Sequence, residues 1–186
     1  MLTRRFSLGH LLLGVALALL VSAPVAAQAA GEGEASVIWL VRHAERADAG
    51  MDDQPDPELS DVGRARAEEL ARFLGEAGIT SIHSTPYHRT MQTAMPLAEA
   101  LGVDIETYNP GDAEGMEAFR AGLRSPGRHL VVGHSNTTPA LVEQLGGDPV
   151  SAIAVEEYDR IYVLHVTSGG DVNSTLLRFG AFAPGG

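Results

Sequence analysis

The sequence predicts an α/β fold, a three-layer sandwich in which helices flank both faces of a mostly parallel central sheet. Two observations predict it. Short apolar runs rich in β-branched residues alternate with segments of helical periodicity, as in parallel strands joined by crossover helices. The chain has 186 residues, is 45% hydrophobic and contains few aromatic residues, which suits one globular core.

Residues 1–29 predict a secretory signal peptide. Arg4 and Arg5 form a basic start, and a short apolar run and the small-residue stretch VAAQAA follow. Cleavage after Ala27 or Ala29 fits the preference for small residues at the cleavage site. An uncleaved membrane anchor is the alternative, and both the general secretory route and twin-arginine export stay open.

The rest of the chain predicts a short leader and one domain. Residues 30–35 contain GEGEA and predict a flexible leader. Residues 36–186 contain no internal repeat and no second boundary, so they predict a single domain. Signal cleavage would leave this domain periplasmic or secreted, with no stable membrane insertion.

Within this domain the pattern predicts six strands and four helices. Ser60 is expected to cap the first helix, and Pro96 to kink or divide the second. The second helix is expected to bury one face made of Met91, Ala94, Met95, Ala98 and Leu101. The predicted strands are 36–41, 79–83, 103–108, 129–132, 161–166 and 174–179. The predicted helices are 60–77, 88–101, 114–123 and 138–145.

Polar residues follow three of the predicted strands. They occur in the segments LVRHAE at 40–45, STPYHRTMQTA at 84–94 and VVGHSNT at 131–137. Ligands of open α/β sheets bind beyond the carboxyl ends of the strands, so these segments are expected to meet at one edge.

Two arginines and two histidines at one edge suit a phosphoryl dianion. Arginine presents a planar fork of donors that matches phosphate oxygens and stays charged. A neutral imidazole can attack phosphorus through one nitrogen while a hydrogen bond holds the other. Phosphoryl transfer consists largely of positioning and charge neutralisation, which these groups supply without a metal.

The ordered motifs resemble those of the histidine phosphatase superfamily, in its phosphoglycerate-mutase-like branch 1. The segment RHAE at 42–45 is similar to the family's RHGE signature, with Ala44 in place of the usual glycine. The segment LSDVG at 59–63, the second arginine segment at 84–94 and GHSN at 133–136 follow in the family's order. Together the motifs span nearly all of residues 37–140.

The resemblance implies a role for each member of the quartet His43, Arg42, Arg89 and His134. His43 would form the phosphohistidine, and the other three would hold the phosphoryl oxygens. Glu45 could orient the arginines of the quartet from behind the site, and the alternative is that it has no chemical role. Mutase-like members of the family carry a glutamate as general acid after the second arginine segment.

Residues 108–118 occupy the place of that glutamate and are short but acidic. Asp112 and Glu114 are the possible donors there, and a solvated acidic loop is the alternative for both.

Composition excludes several other classes of site and ligand. The chain has no cysteine, so it has no thiol nucleophile and no thiolate metal site. No HxH or HExxH spacing occurs, and we predict neither a metal nor a cofactor. A net charge of −11 argues against binding to nucleic acid or anionic lipid and leaves a small phosphorylated substrate as the expected partner.

The sequence therefore predicts an exported, metal-independent phosphatase that hydrolyses phosphate monoesters through His43. A phosphoglycerate mutase-like phosphotransferase, a phosphohistidine-protein phosphatase and an inactive phosphate-binding module are the alternatives. The substrate and the oligomeric state stay open.

Overall fold

The computed structural model describes residues 34–47 and 56–180. The predicted signal peptide and most of the leader lie outside the described residues. The first strand begins at Glu34, two residues inside the predicted leader, because the backbone there already pairs with the fifth strand at Thr167.

A single six-stranded sheet forms the centre of the domain, in the order β3-β2-β4-β1-β5-β6. The first four strands in this order pair in parallel. Strand β5 pairs antiparallel with β1 on one side and with β6 on the other. The elements in chain order are β1 Glu34–Arg42, α1 Asp61–Leu74, β2 Ser81–Ser84, α2 His88–Leu101, β3 Ile105–Thr107, α3 Ala113–Leu123, β4 Gly127–Gly133, α4 Thr137–Gln144, β5 Arg160–Thr167 and β6 Val172–Arg178.

Helices cover both faces of this sheet, which confirms the predicted three-layer sandwich. Alternate residues of β1 point to opposite faces, as the pleat requires. Val37, Trp39 and Val41 join one core with α1 and α2, whereas Ile38 and Leu40 join a second core with α3 and α4. The central strand is therefore buried on both sides.

The helix boundaries agree closely with the prediction, but the buried face of α2 does not. Ser60 caps α1, since its hydroxyl oxygen accepts a hydrogen bond from the Gly63 N–H at 3.1 Å. Helix α2 continues past Pro96 as one element. Its buried side includes Thr90 and Thr93, while Met95 is exposed.

The two threonines are buried because their hydroxyls find partners on the backbone. Thr93 Oγ1 donates to the Arg89 carbonyl and accepts from the Ala44 N–H, at 2.7 and 2.9 Å. This contact fixes the start of α2 against the loop that follows β1.

None of the described helices is long and apolar enough to cross a membrane.

Candidate active site

The pairing of β1 with β4 brings the two motif histidines together. Arg42 lies opposite Gly133 in the parallel register, and the His43 N–H donates to the Gly133 carbonyl at 2.9 Å. His134 follows directly after β4, so both imidazoles lie at the same sheet edge. Their ring centroids are 5.5 Å apart.

All four predicted quartet residues line one pocket of about 800 Å³. Arg89 reaches it from the first turn of α2, which begins four residues after β2 ends. Arg46 and Tyr87 also line this pocket. The pocket is the site described below.

Burial and one hydrogen bond hold His43 in the form that a nucleophile needs. Its Nδ1 lies 2.7 Å from the Ala44 carbonyl oxygen. A carbonyl can only accept, so Nδ1 carries the proton and Nε2 keeps its lone pair. Burial, with smaller contributions from Arg42, His134 and Arg89, lowers the pKa of His43 to about 3. The ring is therefore neutral at pH 7.

His134 contacts a chain of hydroxyls. Its Nε2 lies 2.9 Å from Thr85 Oγ1, which in turn lies 2.9 Å from Thr90 Oγ1. The Thr90 hydroxyl lies 2.8 Å from the Tyr87 carbonyl and 2.9 Å from the Thr85 carbonyl, to which it can donate. A hydroxyl can donate or accept, so either tautomer of the His134 ring satisfies the contact with Thr85.

His134 is also neutral at pH 7. Burial and the charges of Arg89 and Arg42 lower its pKa to about 4. Both histidines are therefore uncharged at pH 7, and the positive charge of the pocket comes from its arginines.

Arg42 is clamped by the loop before β5. Its Nη1 donates to the carbonyls of Ala154 and Val155 at 2.8 Å and of Glu157 at 3.0 Å, and its guanidinium stacks 4.1 Å from the Tyr158 ring centroid. We call residues 154–158 the strap.

The strap bonds the Arg42 guanidinium through its Nη1 atom. Nε of Arg42 is buried and makes no hydrogen bond within the described residues. Nε and Nη2 form the side-on edge of a guanidinium, which suits two phosphoryl oxygens. The strap occupies Nη1, outside this edge.

Arg89 is held by an acid and an aromatic ring. Its Nη1 lies 3.4 Å from Asp56 Oδ1, and its guanidinium lies 4.5 Å from the Tyr87 ring centroid. Asp56 also accepts from the His88 N–H at 2.8 Å, which ties the loop before α1 to the start of α2. Sequence reasoning missed Asp56, since no local pattern connects it with Arg89.

The two predicted acid donors have other surroundings. Asp112 is the N-cap of α3, where its carboxylate accepts from the Gly115 N–H at 3.1 Å. Glu114 is exposed in the first turn of that helix. Neither lines the pocket. An aspartate one residue before a helix bonds the free N–H groups of the first turn, which draws Asp112 to the helix.

Glu45 orients neither pocket arginine. Its carboxylate makes a bidentate pair with Arg66 of α1, at 2.6 to 2.9 Å, and both side chains are mostly buried. The contact joins the loop after His43 to α1. Glu45 therefore supports this loop and makes no such contact with Arg42 or Arg89.

Within the described part of the chain, no cluster of three or more histidine or acidic side chains could hold a metal ion. The donors that line the pocket are arginine, histidine, amide and hydroxyl groups, which suit an anion.

Comparison with known proteins supports the motif-based prediction. Residues 38–110 match the model of the histidine phosphatase superfamily (branch 1). The chain is 38% identical over 71 residues to a probable phosphoglycerate mutase GpmB of Escherichia coli O1:K1 / APEC. That match covers 37% of this chain and 33% of the mutase, so the chain spans about a third of the length of the curated relatives it matches.

Solved structures share the fold over more of the chain. A protein histidine phosphatase SixA complexed with tungstate has a TM-score of 0.61 at 17% identity, covering 76% of this chain and 96% of that chain. The putative phosphohistidine phosphatase SixA of Agrobacterium tumefaciens has a TM-score of 0.57 at 21% identity, covering 78% and 98%. A mycobacterial glucosyl-3-phosphoglycerate phosphatase has a TM-score of 0.56 at 19% identity, covering 80% and 100%. The chain thus resembles the histidine phosphatase superfamily (branch 1) over residues 38–110, and its fold is that of the solved histidine phosphatase structures.

Proposed function

We propose that this chain is an exported phosphatase that hydrolyses phosphate monoesters through a phosphohistidine on His43. The observation that supports it best is the state of His43, a buried neutral imidazole whose Nδ1 is bonded to the backbone. His43 lines a pocket together with Arg42, Arg46 and Arg89, whose guanidinium groups suit phosphate oxygens.

The proposed reaction has two displacements at phosphorus. The lone pair on Nε2 forms a P–N bond while the P–O bond to the leaving group breaks, and the leaving oxygen takes up a proton. Water then attacks phosphorus, the P–N bond breaks and water loses a proton, so His43 returns to its neutral state. Arg42 and Arg89 neutralise the charge on the oxygens in both steps.

The leaving group is expected to affect the rate. An aryloxide departs without a proton whereas an alkoxide needs one, so aryl phosphates should react faster than alkyl phosphates. Among residues 34–47 and 56–180 no carboxylate lines the pocket, and Asp56 is paired with Arg89.

The same observation favours a second candidate, a phosphohistidine-protein phosphatase. The P–N bond of phosphohistidine breaks without the help of a strong acid in the pocket. The likeness to SixA structures agrees with this candidate at the level of the fold.

Turnover of phenyl phosphate, octyl phosphate and a phosphohistidine peptide by the purified protein tests both candidates. We expect hydrolysis that EDTA leaves unchanged and vanadate inhibits, with phenyl phosphate much faster than octyl phosphate. His43→Ala should abolish turnover and the labelled phosphoenzyme seen after rapid quench. His165→Ala removes an exposed histidine of β5 and is the matched control.

Three results would contradict the proposal. They are loss of activity on chelation with recovery on adding a divalent ion, wild-type labelling of His43→Ala, and no turnover of any phosphate ester. A strong preference for the phosphohistidine peptide over phenyl phosphate would select the second candidate.

A further inference from the structure

A second cavity adjoins the pocket of His43. It has a volume of about 420 Å³ and lies between α3 and α4. Pro110, Asn136 and Thr137 line both this cavity and the pocket. A molecule whose phosphoryl group lies at His43 could therefore extend past these three residues into the cavity, which we call the groove.

The groove has a lining of mixed polarity. Met116, Leu141, Ala113 and Ala140 form its apolar part, in which the first two side chains are buried and the two alanines are small. Asn136 and Thr137 are polar residues on the side shared with the pocket. Arg120 lies at the end of the groove distant from the pocket, two helical turns after Ala113.

A third cavity of about 600 Å³ continues from that end. Arg120 and Gln144 line both the groove and this cavity, and Arg124, the residue that follows α3, also lines the cavity. Arg120 donates to Glu117 at 2.6 Å and to Gln144 at 3.2 Å, and Arg124 donates to the Leu145 carbonyl at 2.6 Å. The Glu117 side chain is 81% exposed, so two arginines and one exposed acid leave this cavity with an excess of one positive charge.

The length of the groove defines the size of its ligand. Seven residues separate Ala113 from Arg120, which corresponds to roughly 10 Å along a helix. This is the length of an extended chain of about eight carbons.

We propose that the groove binds the leaving group of an elongated substrate, with an apolar spacer over Met116 and Leu141 and a second anionic group at Arg120 and Arg124. The inference rests on the proposed function, because it assumes that the phosphoryl group of the same substrate lies at His43. The substrate class is then a phosphate monoester with a second anion, separated from the first by more than the roughly 10 Å of helix rise between Ala113 and Arg120.

A substrate series tests this directly. We expect octanediol bisphosphate to have a kcat/KM roughly tenfold above that of octyl phosphate, since a hydrogen-bonded pair with a charged group contributes about that much. Propanediol bisphosphate, which cannot reach Arg120, should show no such gain. Phenyl phosphate reports the basal reaction.

Two variants separate the anion site from the apolar groove. Arg120→Gln should remove the advantage of octanediol bisphosphate over octyl phosphate and leave phenyl phosphate unchanged. Arg72→Gln removes an exposed arginine of α1 on the opposite face of the sheet and is the charge-matched control. Ala140→Phe should fill the groove and slow both eight-carbon substrates alike.

The inference is overturned if wild type treats octyl phosphate and octanediol bisphosphate equally, or if Arg120→Gln keeps the advantage. If no phosphate ester is turned over, the proposed function fails on its own. Calorimetric binding of octane bisphosphonate and octylphosphonate to wild type and to the Arg120→Gln, Arg72→Gln and Ala140→Phe variants then tests the groove separately. Equal affinities of wild type for the two ligands would overturn the inference.

Discussion

At the scale of single residues, burial sets the charge of each group in the pocket. His43 and His134 are kept neutral, whereas Arg42 and Arg89 keep their charge because guanidinium deprotonates only at very high pH. The pocket therefore holds neutral imidazoles and charged guanidinium groups side by side at pH 7.

Arg89→Ala should lower kcat roughly 10²–10³-fold, by analogy with the loss of one oxyanion donor. The nucleophile stays in place, so labelled phosphoenzyme should still form, slowly. Arg89→Lys should recover only part of the rate, because an ammonium cannot reproduce a planar fork. Single-turnover kinetics with phenyl phosphate measure both effects, and full recovery by lysine would show that Arg89 acts as a point charge only.

The depressed pKa of His43 also predicts how stability depends on pH. In the folded protein the ring takes up a proton only near pH 3, whereas the unfolded chain takes one up near 6.5. Between these values the unfolded state binds more protons, so stability falls as the pH falls through this window, by at most about 1.4 kcal/mol per pH unit.

Urea unfolding of wild type and His43→Gln from pH 7 to 4 measures this contribution. The variant should lose stability less steeply with falling pH. Equal slopes in the two proteins would show that burial of His43 does not govern its protonation.

At the scale of elements, the strap decides how Arg42 is presented. Glu157 anchors the strap, because its carboxylate accepts from the Ala154 N–H at 3.2 Å and pairs with Arg160 and Arg178 at 2.6 and 2.8 Å. Hydrogen bonding, chiefly from Arg160, lowers the pKa of Glu157 to about 2. The anchor is therefore charged at any pH at which the protein works.

Glu157→Gln should loosen the strap and lower kcat roughly tenfold or more, since small displacements of an aligned group are costly. Asp159→Asn is the matched control, because Asp159 shares Arg178 with Glu157 but does not bond the strap. Steady-state kinetics at a temperature well below both melting transitions compare them. Equal activity of the two variants would show that the strap does not position Arg42 for the reaction.

The junction of α1 with the loop after His43 depends on a close backbone approach. A Cβ at Gly63 would lie only 2.1 Å from the Glu45 carbonyl oxygen, and Ser60 N–H already donates to that oxygen at 2.9 Å. The first turn of α1 can reach Glu45 only because residue 63 has no side chain.

Gly63→Ala should therefore lower the free energy of unfolding by about 1–3 kcal/mol. Gly122→Ala on α3 is the control, because nothing lies within 4 Å of its added Cβ, and it should be neutral or stabilising by up to ~1 kcal/mol. Urea unfolding measures both. A neutral Gly63→Ala would mean that the loop after His43 adjusts freely.

At the scale of the whole molecule, the arginine-rich pocket contrasts with the negative net charge of the chain. The net charge is −11, yet Arg42, Arg46 and Arg89 line one pocket. A molecule of this charge repels anions at a distance and holds them only where arginines cluster, so salt should weaken that long-range repulsion.

Export also belongs to the whole molecule. We expect the mature protein to begin near Gln28 or Ala30 and to accumulate in the periplasm or medium, because the basic, apolar and small-residue segments occur in the order of a signal peptide. Intact-mass measurement of the chain from the periplasmic fraction checks this. An uncleaved chain recovered from the cytosol would contradict it.

Local pattern predicted most of the fold and all four members of the quartet. Helix α2 was placed at its observed bounds, and the strand ends at Arg42 and Gly133 were placed at one edge. Hydrophobic periodicity and strand-end polarity are properties of neighbouring residues, so a sequence displays them directly. The buried threonines of α2 were missed because their burial depends on partners outside the helix.

The sequence by itself determined the α/β sheet and the placement of the two motif histidines at one edge of it, and it predicts His43 as the nucleophile. Only the tertiary structure decided the partners of these groups. The strap that clamps Arg42 lies 112 residues along the chain at Ala154, and the acid that pairs with Arg89 lies 33 residues away at Asp56. Such contacts form when distant elements pack against the sheet, and no local spacing encodes them.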